Sequence, residues 1–215
     1  MKLWSESFQD GAAIPAEFAF AVPDAKNHVA LSTNRNPHLA WSEVPAGTQS
    51  LVLVCHDPDV PSRGDDVNQE GKSVPADLPR VDFFHWTLVD IPVGVKTVAA
   101  AQFSNAVTTR GKAGPAIPGD PLQGARQGLN DYTGWFAGDG DMSGDYFGYD
   151  GPCPPWNDAL LHRYVFTLFA IDQPQLTVSG SFSGTDVRNA LQGHVLAEAS
   201  ITGTYTLNPA VQQSK

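Results

Sequence analysis

The chain has 215 residues, 41% of them hydrophobic and 17% charged, with a formal net charge of −10 at pH 7. That length can bury one substantial core. The acidity argues against a nucleic-acid partner, whose phosphates need a basic face, and against docking on anionic lipid by charge.

No apolar run approaches the roughly 18–20 residues that span a bilayer. The opening MKLWSESFQD has no apolar signal core, so a cytoplasmic protein is expected. Glycine (20) and proline (17) are abundant and break the apolar runs into short pieces, which predicts an all-β antiparallel sandwich. Residues 1–47 read as short strands and turns, with NPHLAW (Asn36–Trp41) and VPAGT (Val44–Thr48) as landmarks. LVLVC (Leu51–Cys55) is a continuous apolar run and predicts a buried strand, ended by Pro58 and Pro61. Ser62–Asp82 carries five acids against three bases and predicts an exposed insert; loops of that length are usually functional or mobile.

FFHWTLVDI (Phe83–Ile91) predicts the next strand, and strict alternation puts His85 on the face of Phe83, Thr87 and Val89. A second long irregular region covers 106–148. Within it, Gly124–Phe136 is too rich in glycine for a stable helix. Tyr149–Pro155 is a stiff Gly/Pro loop leading into a strand from His162. On that strand His162, Tyr164 and Phe166 share one face, and Arg163, Val165, Thr167 and Phe169 the other. Ser183 and Asp186 fit a capping box, and the spacing that follows predicts a peripheral helix over Ser183–Ala197. Ala199–Leu207 closes the chain as a strand. With no repeat and no linker, residues 1–215 are expected to form a single domain.

Three predicted strand ends carry polar groups that a core would not choose. If they converge, Asp57, His85, His162 and Tyr164 meet in one pocket. Imidazoles and a phenol can donate to an oxyanion, and a carboxylate can orient or charge a histidine. The ordered motifs DPDVP, FFHW, GPCPP and HRYVFTLFAID, with NPHLAW, VPAGT, YDGP and ASITGTY, resemble the phosphatidylethanolamine-binding protein family. The likeness is to its bacterial branch, also described as Raf-kinase-inhibitor-like. The resemblance implies a β-sandwich with a small anion-accepting pocket at one end. It maps that pocket onto Asp57, Asp59, Pro61, His85, Pro155, His162 and Tyr164. It also implies a cis bond before Pro61, and a homodimer. The insert at 62–82 and WNDALL (Trp156–Leu161) depart from the family pattern beside this pocket.

The expected function is therefore non-catalytic binding of a small anionic or phosphorylated ligand, with no cofactor. Both histidines would donate to the anion, Asp57 would charge one of them, and Asp59 would organise its own turn. Four other readings compete. His56, Asp57, His85 and His162 are zinc-ligand types, but in no ligand spacing. Asp139, Asp141, Ser143, Asp145 and Asp150 imitate a calcium loop without its flanking helices or its final glutamate. A hydrolase would need a nucleophile that is not evident. A kinase or protease inhibitor would present 62–82 and 124–136 to a protein partner. Cys55 and Cys153 are expected as free thiols.

Overall fold

The computed structural model describes residues 1–119 and 121–211. Its elements, in chain order, are β1 (Lys2–Trp4), β2 (Ala21–Asp24), β3 (His28–Leu31), β4 (Leu39–Ser42), β5 (Ser50–Pro61) and β6 (Arg80–Ile91). They continue with β7 (Thr97–Val98), β8 (Arg126–Gln127), helix α1 (Tyr132–Trp135), β9 (His162–Ile171), helix α2 (Gly184–Ala190) and β10 (Val195–Tyr205). The architecture is all-β. An antiparallel sheet ordered β10-β9-β5-β6-β8 packs against a smaller sheet ordered β1-β4-β7, and β2-β3 form a separate hairpin.

The apolar run of β5 follows from its place. It pairs with β6 on one side and β9 on the other, and both faces are covered. Leu51, Leu53 and Cys55 join the main core with Trp41, Trp86, Phe166 and Leu168. Val52 and Val54 join a second core with Phe84, Phe182 and Val187. Burying each such large side chain is worth about 1.5–3 kcal/mol. On β9 the predicted alternation holds: Tyr164, Phe166, Leu168 and Ala170 face the main core.

Several boundaries differ from expectation. β5 does not stop at Pro58 but runs through Pro61, because the register shift between Asp57 and Val60 absorbs residues that cannot serve the ladder. β6 begins at Arg80, which shortens the insert to 62–79. Gly124–Phe136 contains one helical turn, α1, held by Tyr132 stacked on Phe20 at 4.7 Å; a tertiary contact overrides the glycine penalty. The capping box of Ser183 and Asp186 is formed, but α2 ends at Ala190. Gly193, at φ 81°, turns the chain, and Val195–Ala197 belong to β10. The peptide bond before Pro61 is trans; the cis bond among the described residues is Gly114–Pro115. Asp120, inside the expected 106–148 loop, lies outside the described residues.

Candidate functional site

Three strands deliver polar side chains to one end of the large sheet. β5 brings Asp57, β6 brings His85, and β9 brings His162 and Tyr164. His85 arrives by a device that alternation alone does not reveal. Cys55 pairs with Trp86 and His56 with Phe84, so His85 is an extra residue in a bulge. It therefore faces the same side as Trp86, while Thr87 and Val89 point to the other. The Nδ1–H of His85 donates to the carbonyl of Asp150 at 2.8 Å, and the Asp150 N–H returns a bond to the His85 carbonyl at 3.1 Å. Nε2 of His85 has no partner among the described residues and is the nitrogen left for the cavity. Burial pushes the pKa of this histidine down, so the ring is neutral at pH 7 and Nε2 is an acceptor.

His162 is the opposite case. Nδ1 lies 2.7 Å from Oδ2 of Asp57 and Nε2 lies 3.1 Å from Oδ2 of Asp158, with the ring fully buried. Burial opposes its charge. The hydrogen bonds and charges of Asp158 and Asp57 outweigh burial and lift its pKa to about 9. Arg80 closes the chain with a two-pronged bond to Asp158 at 2.5 and 3.1 Å. The result is an alternating row, Asp57, His162, Asp158 and Arg80, in which each charge meets its opposite. Both ring nitrogens of His162 are spent inside the protein, so the expected donation from His162 to a ligand does not occur.

Above this base lies a cavity of about 250 Å³. Asp57, Pro61, His85, Pro155, His162 and Tyr164 line it as expected. Asp59 does not. Both its oxygens accept from Arg163, at 2.8 and 2.9 Å, and it is Asp57 that organises the turn by accepting from the Asp59 N–H at 2.8 Å. The Tyr164 hydroxyl is buried and makes no well-aligned hydrogen bond, with Asp57 the one side chain near enough for a poorly aligned one. Burial, with the charge of Asp57, raises its pKa well above the ordinary phenol value. Tyr132 and Phe83 wall the cavity edge-on to one another at 5.2 Å. The loop under Pro155 is fixed where Gly151 approaches the Phe18 carbonyl so closely that a Cβ would lie 2.1 Å from that oxygen.

A family model described as phosphatidylethanolamine-binding protein matches residues 4–206. The chain belongs to the phosphatidylethanolamine-binding protein family. Among its relatives, the UPF0098 protein YbhB of Escherichia coli is 30% identical over 207 residues, covering 96% of this chain and 100% of that one. A UPF0098 protein of Aquifex aeolicus is 29% identical, covering 95% and 88%. The crystal structure of E. coli YbcL, described as a new member of the mammalian PEBP family, superposes with a TM-score of 0.66 at 26% identity, covering 95% and 97%. That of CT736 from Chlamydia trachomatis, described as a putative homologue, gives 0.61 at 26% identity and 95% of each chain.

On this phosphatidylethanolamine-binding protein scaffold, sequence reasoning missed Asp158, Arg80 and the insert residues Arg63 and Asn68. Asp158 sits four residues before His162, and that spacing was its one available signal. The Asp-rich loop does not assemble a calcium site. Asp150 is buried, with Oδ1 accepting from Asn34 at 2.7 Å and Oδ2 from Asn130 and Lys112, each at 2.8 Å. Asp139 caps its own turn through the Asp141 and Met142 N–H groups. The zinc reading fails on the same ground, since His162 and Asp57 bond each other and the His56 ring sits in a cavity with Phe84, on the second-core face of the sheet. Cys55 and Cys153 are free thiols, and burial pushes Cys153 to about 12. No helix among the described residues is long and apolar enough to cross a membrane.

Proposed function

We propose that the protein binds a small anionic or phosphorylated ligand in this cavity and releases it unchanged. The observation that carries the reading is the cavity-lining ring of His85, whose Nδ1 is bonded to the Asp150 carbonyl while Nε2 has no partner among the described residues, with the Tyr164 ring 5.1 Å away between centroids. Polar atoms facing a cavity are normally paired, and a ligand would supply the partner that Nε2 lacks. An anion would draw a proton onto Nε2, turning it from acceptor to donor. Because the free ring has a depressed pKa, affinity should rise as pH falls and weaken as pH rises.

Two features support binding without turnover. Cys153 holds its proton too tightly to act as a thiolate nucleophile. His162 has no nitrogen free to act as a general base. The free-thiol state of Cys55 and Cys153 fits a reducing, cytoplasmic setting, and the E. coli relative supports the bacterial branch.

Calorimetry with phosphoethanolamine and dimethyl phosphate at about pH 5.5 and about pH 8 tests this. Dimethyl phosphate keeps one charge throughout, so tighter binding at the lower pH reports the protein. Equal affinity at both values contradicts the proposal.

One observation favours a second activity, inhibition of a kinase or protease through the loops. Trp135, in the 124–136 stretch at the cavity mouth, is 57% exposed. Retention of a partner by the full chain and its loss on Trp135→Ala would support this.

A further inference from the structure

The base of the cavity carries no net charge to attract an anion. Asp57 and His162 cancel, Asp158 and Arg80 cancel, Asp59 and Arg163 cancel, and His85 is neutral. The attraction has to come from the wall. That wall is the insert, whose Arg63 and Asn68 line the cavity. Arg63 is the one lysine or arginine among the described lining residues. Its side chain is 69% exposed, and its only ion pair among the described residues is a loose one to Asp65 at 3.6 Å. An exposed pair of that kind is worth little and is readily exchanged for a ligand.

The insert is long but not slack. Asn157, 5% exposed, gathers it from beneath. Its Nδ2 donates to the carbonyls of Asp66, Lys72 and Gln69 at 2.8, 3.2 and 3.4 Å, and its Oδ1 accepts from the Asn68 N–H at 2.9 Å. The Asn68 side chain in turn accepts from the Trp156 N–H at 3.0 Å. The Val74 N–H donates to the Asn157 carbonyl at 3.0 Å. One buried amide thus ties the insert to WNDALL, and the two segments that depart from the family pattern are built for each other.

We infer that this insert is the selectivity element of the cavity: Arg63 holds the ligand's anionic group, and Asn157 is the positioning residue that keeps Arg63 at the mouth. The inference rests on the anion-binding reading above and adds the class of ligand. With Arg63 as the one lysine or arginine among the described lining residues and a base that is already neutralised, a second negative charge on the ligand finds no partner. The site selects singly charged phosphate groups or carboxylates over dianions. A phosphodiester from a lipid headgroup and a free monoester share this phosphate chemistry.

Titration calorimetry of the full chain with dimethyl phosphate, glycerophosphoethanolamine and phosphoethanolamine at about pH 8 provides the test. The two diesters should bind more tightly than phosphoethanolamine, whose phosphate group is a dianion at that pH; the reverse order would assign the site to a free monoester and overturn the selection by charge. Arg63→Gln should weaken diester binding about tenfold and flatten its salt dependence, and Arg63→Lys should keep most of it. Asp65→Asn, which frees Arg63, should tighten it about twofold. Asn157→Ala should weaken binding in the parent but add nothing in the Arg63→Gln background, a coupling that a purely structural role would not produce. Binding by the parent that Arg63→Gln leaves unchanged overturns the role of the insert alone. Failure of the parent to bind any of the three overturns the anion reading as well.

Discussion

The base and the wall of the cavity are held by different physics. The base is a buried row of alternating charges on neighbouring strands, and removing any one strands its neighbours without water. The wall is an exposed insert gathered by the amide of Asn157, and its one cavity-lining cation, Arg63, is committed to nothing strong. The contrast teaches that rigidity and selectivity are separated here. Changes to the base should be read mainly in stability, and changes to the wall mainly in binding.

The largest effect expected is from His162→Ala. Two buried carboxylates lose the cation between them, at a cost of about 3–5 kcal/mol, measurable by chemical denaturation. Arg63→Gln should stay within about 0.5 kcal/mol of the parent. Similar losses for the two would erase the distinction.

The pH dependence comes next. The His162 pKa is 6.5 when unfolded and about 9 when folded. Its contribution is therefore full below about pH 6.5 and is lost as pH rises through 9. That amounts to a decline on the order of 3 kcal/mol between pH 7 and pH 10. Asp158, whose pKa burial resists but its bonds to His162 and Arg80 lower, contributes with the opposite sign. Its share is lost as pH falls below the ordinary carboxylate range. A flat profile from pH 7 to 10 would remove the charged imidazole from the base.

Asn157→Ala should cost about 1–3 kcal/mol by leaving several carbonyls without a donor. Proteolytic cutting should then concentrate within 62–79. Cutting elsewhere would mean that Asn157 does not hold the insert. The smallest effect is expected from Trp135→Ala, which should leave the melting temperature nearly unchanged because the ring is more than half exposed.

The strands were legible because burial on both faces writes itself as LVLVC, and alternation writes itself as HRYVF. The position of His85 was not. A bulge shifts side chains by one place without changing the composition of FFHW, so periodicity placed Phe83 beside it correctly but Thr87 and Val89 wrongly. The motifs identified six residues that reach the cavity, wrongly added Asp59, and did not show which of them are left without an internal partner. Whether a histidine is free depends on carboxylates brought from elsewhere, and Asp158 was hidden in a segment with no pattern of its own. The calcium likeness misled for the same reason. Asp150 has the right spacing but points inward, toward Asn34, Asn130 and Lys112.

The two imidazoles can be observed directly by nitrogen NMR of the ring atoms, with and without dimethyl phosphate, near pH 7. The account predicts His162 with both nitrogens protonated and unmoved by ligand. It predicts His85 neutral, with hydrogen on Nδ1, gaining a proton on Nε2 as ligand is added. A neutral His162 that shifts on binding while His85 stays still would contradict it.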